Sequence, residues 1–241
     1  MSSPVTITTA PAIRVLLFGS LRERLGPAEL SVTEPATTVA ELWEVVVAHH
    51  SVARAERSSI RCARNLVYCE WDAQVAPGDE VAFMPPVCGG ATGDGDDGVT
   101  VALSDQPIAV DTLLMQAGDD HDGAVACFVG RVRDHNDGAM VHALEYQAYA
   151  PMALSMMRRI ALEARERHGL TTITLLHRLG ALAVGDVAVA VVTSSPHRSS
   201  ALDSCREVIE AVKAEVPIWK REHTADGTDW VDARCTSGAH V

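Results

Sequence analysis

The sequence predicts an α+β protein of two domains joined by a flexible acidic segment. Three observations carry that prediction. Strand-sized apolar runs, such as Val187–Val192, alternate with long amphipathic stretches, and none approaches the length of a membrane span. Residues 91–98, Ala-Thr-Gly-Asp-Gly-Asp-Asp-Gly, hold no bulky side chain and three like charges, so they can bury almost nothing. With 241 residues, 47% of them hydrophobic and 22% charged, the chain can build a core on either side of that segment. Aromatic residues are only 4%, so both cores must be largely aliphatic. The expected domains are residues 11–90 and 99–241.

In the first domain Ile13–Phe18 reads as an apolar strand, Gly19–Leu25 as a turn or short helix, and Glu29–Val32 as a second strand. Thr37-Thr38 begins a helix with a threonine cap and an apolar stripe of Val39, Leu42, Trp43, Val46 and Val47. Leu66–Cys69 and Val81–Met84 are further strands, the last introduced by a Pro77-Gly78-Asp79 turn. Strand, strand, helix, strand, strand is the order of a small β-grasp, or ubiquitin-like, domain.

In the second domain Val99–Leu103 reads as a strand and Val110–Gln116 as a short helix. Gly123–Arg131 and Val141–Gln147 are expected to pair across the polar loop Val132–Met140. A long amphipathic helix runs from Pro151 to His168, with Gly169 as its stop. Thr172–His177 and Asp186–Thr193 are expected strands around the turn-rich Gly180–Gly185. A second long helix, Ser199–Glu215, ends near Pro217. The sheet should be mostly antiparallel.

Composition narrows the function. The net charge of −12 opposes a nucleic-acid partner, because phosphate neutralisation needs a basic face. Six cysteines form no Cys-x-x-Cys and no metal-type spacing with the ten histidines, which predicts ordinary thiols in a reducing cytoplasm. No metal ligand set is expected, and the N-terminal residues lack the pattern of a secretory signal.

The interior segment Met84-Pro85-Pro86-Val87-Cys88-Gly89-Gly90 reads like a protein's end. The prolines lack amide donors and stop a sheet, and two glycines leave nothing to obstruct a narrow tunnel. That suits a terminal carboxylate delivered into another active site. Further on, Ser195-Pro196-His197-Arg198-Ser199-Ser200 opens a helix whose free amides and positive dipole end favour an anion. A plain serine cap with solvated neighbours explains those residues equally well. Lys213 and Lys220 are the only lysines in a chain with 20 basic residues. Lysine, unlike arginine, can lose its proton and act as acid, base or nucleophile, and a helix end with a turn at Pro217 and Trp219 could bring both amines to one pocket. Arg131, Arg133 and His135 suit either an anion clamp or a solvated loop. Arg234 means little alone.

Together these residues resemble molybdopterin synthase with its small and large subunits joined in one chain. Residues 13–90 resemble the small subunit through Val15–Glu23, Gly78–Val87 and Gly89-Gly90. Residues 99–235 resemble the large subunit through Asp122–Ala124, Phe128–Asn136, His177–Gly180, Ser194–Ser200, Lys213 and Pro217–Glu222. The resemblance implies an α/β hammerhead for the second domain, dimerisation through it, and a sulfurtransferase of molybdenum cofactor biosynthesis. A separate activating enzyme would convert the Gly90 carboxylate to a thiocarboxylate, whose sulfur builds the dithiolene of molybdopterin on cyclic pyranopterin monophosphate. Arg133, His197, Arg198 and Arg234 would hold that phosphate-bearing substrate. Lys213 would be the principal catalytic group and Lys220 its assistant. No bound metal or organic cofactor is implied.

The fusion departs from the family's pattern. As translated, Gly90 is an amide, and Ala91 after it has neither thiol nor hydroxyl to receive an acyl shift. A cellular protease cutting after Gly90 is therefore expected. Two alternatives stand beside this: an uncut large-subunit-type enzyme fed by a separate sulfur carrier, and a ubiquitin-like modifier whose released tail is conjugated to lysines.

Overall fold

The computed structural model describes residues 12–48, 57, 60–84, 93–94, 98–136, 139–225 and 227–231. The chain divides into two compact units, Met1–Pro85 and Pro86–Val241.

Among its described residues, the first unit is a five-stranded sheet with two helices. Its strands are β1 (Ile13–Leu17), β2 (Glu29–Val32), β3 (Arg61–Arg64), β4 (Val67–Cys69) and β5 (Glu80–Met84), in spatial order β2-β1-β5-β3-β4. Strands β1 and β5 are parallel; the other pairs are antiparallel. Helix α1 spans Gly19–Leu25 and α2 spans Val39–Val46. At the start of α2 the Thr38 hydroxyl accepts from the Glu41 amide at 3.2 Å, while the Glu41 carboxylate accepts from the Thr37 amide at 2.7 Å. This reciprocal cap satisfies two otherwise orphaned donors. Trp43, Phe83 and Trp71 form the centre of the core, with ring centroids 4.9 Å apart for the first pair and 5.9 Å for the last two.

Strand β3 was not expected from sequence. Arg61-Cys62-Ala63-Arg64 is bounded by charges that hide its buried centre, where Cys62 and Ala63 are 3% and 1% exposed. Asp79 explains how those charges fit. Its carboxylate accepts from Arg64 Nε at 2.7 Å, Asn65 Nδ2 at 2.8 Å and the Ala76 amide at 2.8 Å, tying the hairpin to the turn before β5. Burial pushes the Asp79 carboxyl up, and these donors outweigh that, holding it below the usual carboxylate range.

The second unit holds two sheets. In the first, β6 (Gly93–Asp94), β7 (Val99–Ser104), β11 (Thr172–Arg178), β13 (Val187–Ser195) and β8 (Ala124–Arg131) lie side by side in that order. Only β7 and β11 are parallel. The second sheet has the order β12 (Gly180–Ala183), β10 (Ala139–Ala148), β14 (Ile218–Thr224) and β15 (Gly227–Val231), with β9 (His135–Asn136) also on β10. Helices α4 (Ala150–His168) and α5 (Arg198–Glu215) cover the first sheet, through Met157, Ile160, Val208 and Val212 against Ile173, Leu175, Val189 and Val191. A short α3 (Val110–Met115) precedes β8, and Gly169 ends α4 in the left-handed region as expected. Among the described residues, no helix is long and apolar enough to cross a membrane.

Five expectations are corrected here. Strands β8 and β10 do not pair with each other; β8 pairs with β13 and β10 with β12 and β14. The presumed loop between them contains β9, whose Asn136 faces Ala139 across Asp137-Gly138, a dipeptide suited to a two-residue hairpin. The stretch Gly180–Gly185 contains strand β12, and Pro217 leads into strand β14, not a turn. In the 91–98 segment, Gly93 and Asp94 pair with Val101 and Thr100; residues 91–92 and 95–97 lie outside the described residues.

Candidate functional site

The second sheet positions the chemistry. Facing residues in its antiparallel ladders share a side, so Lys220 on β14 lies beside Tyr146 on β10, and Glu222 beside Leu144. Lys220 Nζ sits 2.8 Å from Glu222 Oε1. The other Glu222 oxygen accepts from Asn136 Nδ2 at 3.2 Å, and Asn136 Oδ1 accepts from Arg133 Nη2 at 3.3 Å. Two residues singled out in the sequence, Arg133 and Lys220, are thus linked through two that were quoted only as parts of longer motifs. Glu222 is 7% exposed, and a carboxylate so buried requires such partners.

Behind this chain lies His177, whose ring meets that of Tyr146 edge-on at a centroid distance of 4.9 Å. Its Nδ1 is 2.9 Å from the Arg178 carbonyl. Desolvation lowers the His177 pKa to about 4, partly offset by that carbonyl, so the ring is neutral at pH 7. The folded value lies below the unfolded value of roughly 6.5. Stability of this unit should therefore fall as pH drops from about 6.5 towards about 4, because the unfolded chain takes up the proton first. The expected loss across that window is at most about 3 kcal/mol. Denaturant titrations of wild type and His177→Gln at several pH values check this; the variant should show a shallower acid decline.

Lys213 occupies the last turn of α5, where the helix dipole favours a cation. It is exposed, and its Nζ stands 5.7 Å from the centroid of the Phe128 ring on β8. Nearby, Gly130 makes room for Val189: a Cβ there would lie 2.6 Å from Val189 Cγ1. Lys213 and Lys220 therefore have different described partners, a ring and a carboxylate.

His197 and Arg198 stand at the other end of α5. His197 is its extended N-cap and makes no side-chain capping bond, and Arg198 is the first helical residue; both are exposed. No acidic side chain occupies the first turn, and a guanidinium there adds to the positive dipole end. The loop before β8 fixes this end. A Cβ on Gly123 would lie 2.7 Å from the Pro196 carbonyl oxygen, and Asp122 Oδ1 accepts from Thr171 Oγ1 at 2.6 Å. At 1.5 Å per residue, Arg198 and Lys213 are about 22 Å apart along the helix. One copy of the chain places them at opposite ends of an element.

Arg131 is occupied elsewhere, donating from Nε to the Gly185 carbonyl at 2.8 Å, and His135 Nδ1 lies 2.6 Å from Asp134 Oδ1. Gly89, Gly90 and Arg234 lie outside the described residues. Among the described residues, no group of three or more His, Cys, Asp or Glu side chains is arranged to hold a metal ion.

Comparison with known proteins matches both units. Residues 103–215 fit the model of the MoaE protein family, and residues 15–90 fit that of the ThiS family. Molybdopterin synthase catalytic subunit 1 of Mycobacterium tuberculosis is 41% identical over 132 residues, which cover 55% of this chain and 90% of that protein. The chain belongs to the molybdopterin synthase catalytic subunit family. The Bacillus subtilis catalytic subunit is 34% identical over 138 residues, covering 57% of this chain and 88% of its own length. The crystal structure of molybdopterin synthase from Staphylococcus aureus aligns at a TM-score of 0.51 and 36% identity, over 54% of this chain and 94% of that one. The family thus accounts for the second unit, and the ThiS match accords with the ubiquitin-like fold of the first.

Proposed function

We propose that this chain, as a molybdopterin synthase of molybdenum cofactor biosynthesis, supplies its own sulfur. The observation that carries the reading is one chain with a ThiS match ending at Gly90 and a MoaE match beginning at Leu103, within β7. A cytoplasmic protease cuts after Gly90, and an activating enzyme replaces one carboxylate oxygen of Gly90 by sulfur. The substrate is cyclic pyranopterin monophosphate. In each transfer the thiocarboxylate C–S bond breaks and a C–S bond to the substrate forms. Gly90 returns as a carboxylate, its oxygen coming from the substrate or from water, so no oxidant or reductant enters. The transfer uses no bound metal or organic cofactor.

Lys213 receives the incoming thiocarboxylate: its ammonium pairs with the anionic sulfur end and carries the proton during transfer. Lys220, held by Glu222, orients the substrate and moves a proton. Arg133, His197, Arg198 and Arg234 hold the substrate's anionic groups, arginine forks being suited to phosphate. The separation along α5 gives this assignment a further consequence. A second copy bringing its α5 N-terminus to the first copy's Lys213 completes each site, so the working form is a dimer through the second unit.

Complementation tests both parts. Lys213→Ala and Arg198→Ala should each be nearly inactive in dithiolene formation when thiocarboxylated carrier is supplied. Mixed after subunit exchange, they should recover roughly a quarter of wild-type activity, because mixed dimers carry one intact site. Two inactive variants that stay inactive in verified mixed dimers would contradict the shared site.

A further inference from the structure

We infer that Asn136 is a positioning residue for the proposed sulfur transfer, coupling the substrate-holding Arg133 to the proton on Lys220. The inference rests on the function proposed above and adds to it a residue and a means of communication. Its basis is the chain of contacts from Arg133 Nη2 to Asn136 Oδ1 at 3.3 Å, from Asn136 Nδ2 to Glu222 Oε2 at 3.2 Å, and from Glu222 Oε1 to Lys220 Nζ at 2.8 Å.

The side-chain amide of Asn136 serves this position in both directions, accepting from Arg133 and donating to Glu222. A guanidinium can only donate and an ionised carboxylate can only accept, so the amide must turn its oxygen to Arg133 and its nitrogen to Glu222. Its backbone is held by the pairing of β9 with β10, Asn136 opposite Ala139 and His135 opposite Met140. Glu222 is 7% exposed, so its two described partners decide how firmly it holds the Lys220 ammonium. Arg133 is exposed and free to turn towards an arriving anion. When it does, Asn136 loses its donor, its own bond to Glu222 weakens, and Glu222 shifts further onto Lys220. Substrate arrival is thereby read at the amine.

The charged and titratable groups around Lys220 come from four elements. Glu222 is on its own strand, Tyr146 faces it from β10, and His177 stands behind Tyr146 on β11. Asp229 faces Glu222 from β15, and Arg133 lies just before β9. None of them replaces the amide's two-way contact.

Asn136→Asp makes the test. It keeps an acceptor for Arg133, removes the donor to Glu222 and adds a negative charge near Lys220. KM for cyclic pyranopterin monophosphate should stay within about twofold, while kcat falls about tenfold. The limb of the kcat–pH profile that Lys220→Arg displaces should move to higher pH by about half a unit, because added negative charge holds the lysine proton more tightly. Asn136→Gln, which keeps both hydrogen-bonding groups, should restore most of kcat with the wild-type profile. A profile unchanged in Asn136→Asp, with kcat lost in parallel with thermal stability, would overturn the coupling. Wild-type protein that forms no dithiolene with supplied thiocarboxylated carrier would instead overturn the proposed function itself.

Discussion

Replacing Lys213 by alanine should abolish dithiolene formation, by about a thousandfold or more, and leave the fold intact. The side chain is exposed, and its one described partner is the face of Phe128 at 5.7 Å. A contact of that kind at an exposed site contributes roughly 0.5–1 kcal/mol, so the unfolding midpoint should move by only a few degrees. A large loss of turnover with a small loss of stability marks a group that acts on substrate. Single-turnover assays with thiocarboxylated carrier, beside thermal unfolding, measure both quantities. Near-normal turnover would remove Lys213 from the mechanism.

Replacing Gly90 by glutamate should eliminate activity that depends on the chain's own carrier. The added side chain ends the bare diglycine and places a second carboxylate next to the one that must be activated. The catalytic domain, residues 99–241, is untouched by the change, so thiocarboxylated carrier supplied separately should restore turnover to within about twofold of wild type. Activity in Gly90→Glu without any external carrier would show that sulfur arrives by another route. The comparison also separates a self-supplied enzyme from one whose first unit is only a tethered plug.

The legible parts of this fold were those with a strong local period or a strong stop. Helix α2 carries its cap at Thr38 and its apolar stripe within eight residues, and α4 ends at a glycine in the left-handed region. Strands β3, β6, β9, β12, β14 and β15 were missed for related reasons. β3 is short and flanked by arginines whose partner, Asp79, lies 15 residues away in sequence from Arg64. β9 has only two residues, and β14 reads Ile-Trp-Lys-Arg-Glu-His-Thr, whose charges are matched by Glu145 on one side and Asn136 on the other. Pairing partners such as β8 with β13 are decided by tertiary contacts that no local window contains.

The site divides in the same way. Lys213 and Lys220 were conspicuous because no other lysine occurs, and Arg133 because it sits in a polar segment after a strand. Glu222 and Asn136 were not singled out, since each is an ordinary polar residue until the sheet places it against Lys220 or Arg133. The Asp137-Gly138 dipeptide was the signal available for Asn136, because it marks a hairpin that would fix the preceding residue. The length of α5 was also readable from sequence. Its consequence, that His197 and Arg198 cannot stand beside Lys213 of the same copy, needed the helix to be unbroken from Arg198 to Glu215.

Everything proposed for the carrier domain, residues 11–90, depends on Gly90 becoming a free end. Intact-mass measurement of the protein recovered from its native host, under conditions where molybdenum cofactor is being made, tests this most directly. The account predicts an N-terminal fragment ending at Gly90, partly heavier by the difference between a sulfur and an oxygen atom, together with a fragment beginning at Ala91. Only uncut chain, in cells whose dithiolene synthesis depends on this protein and on no separate carrier, would contradict it.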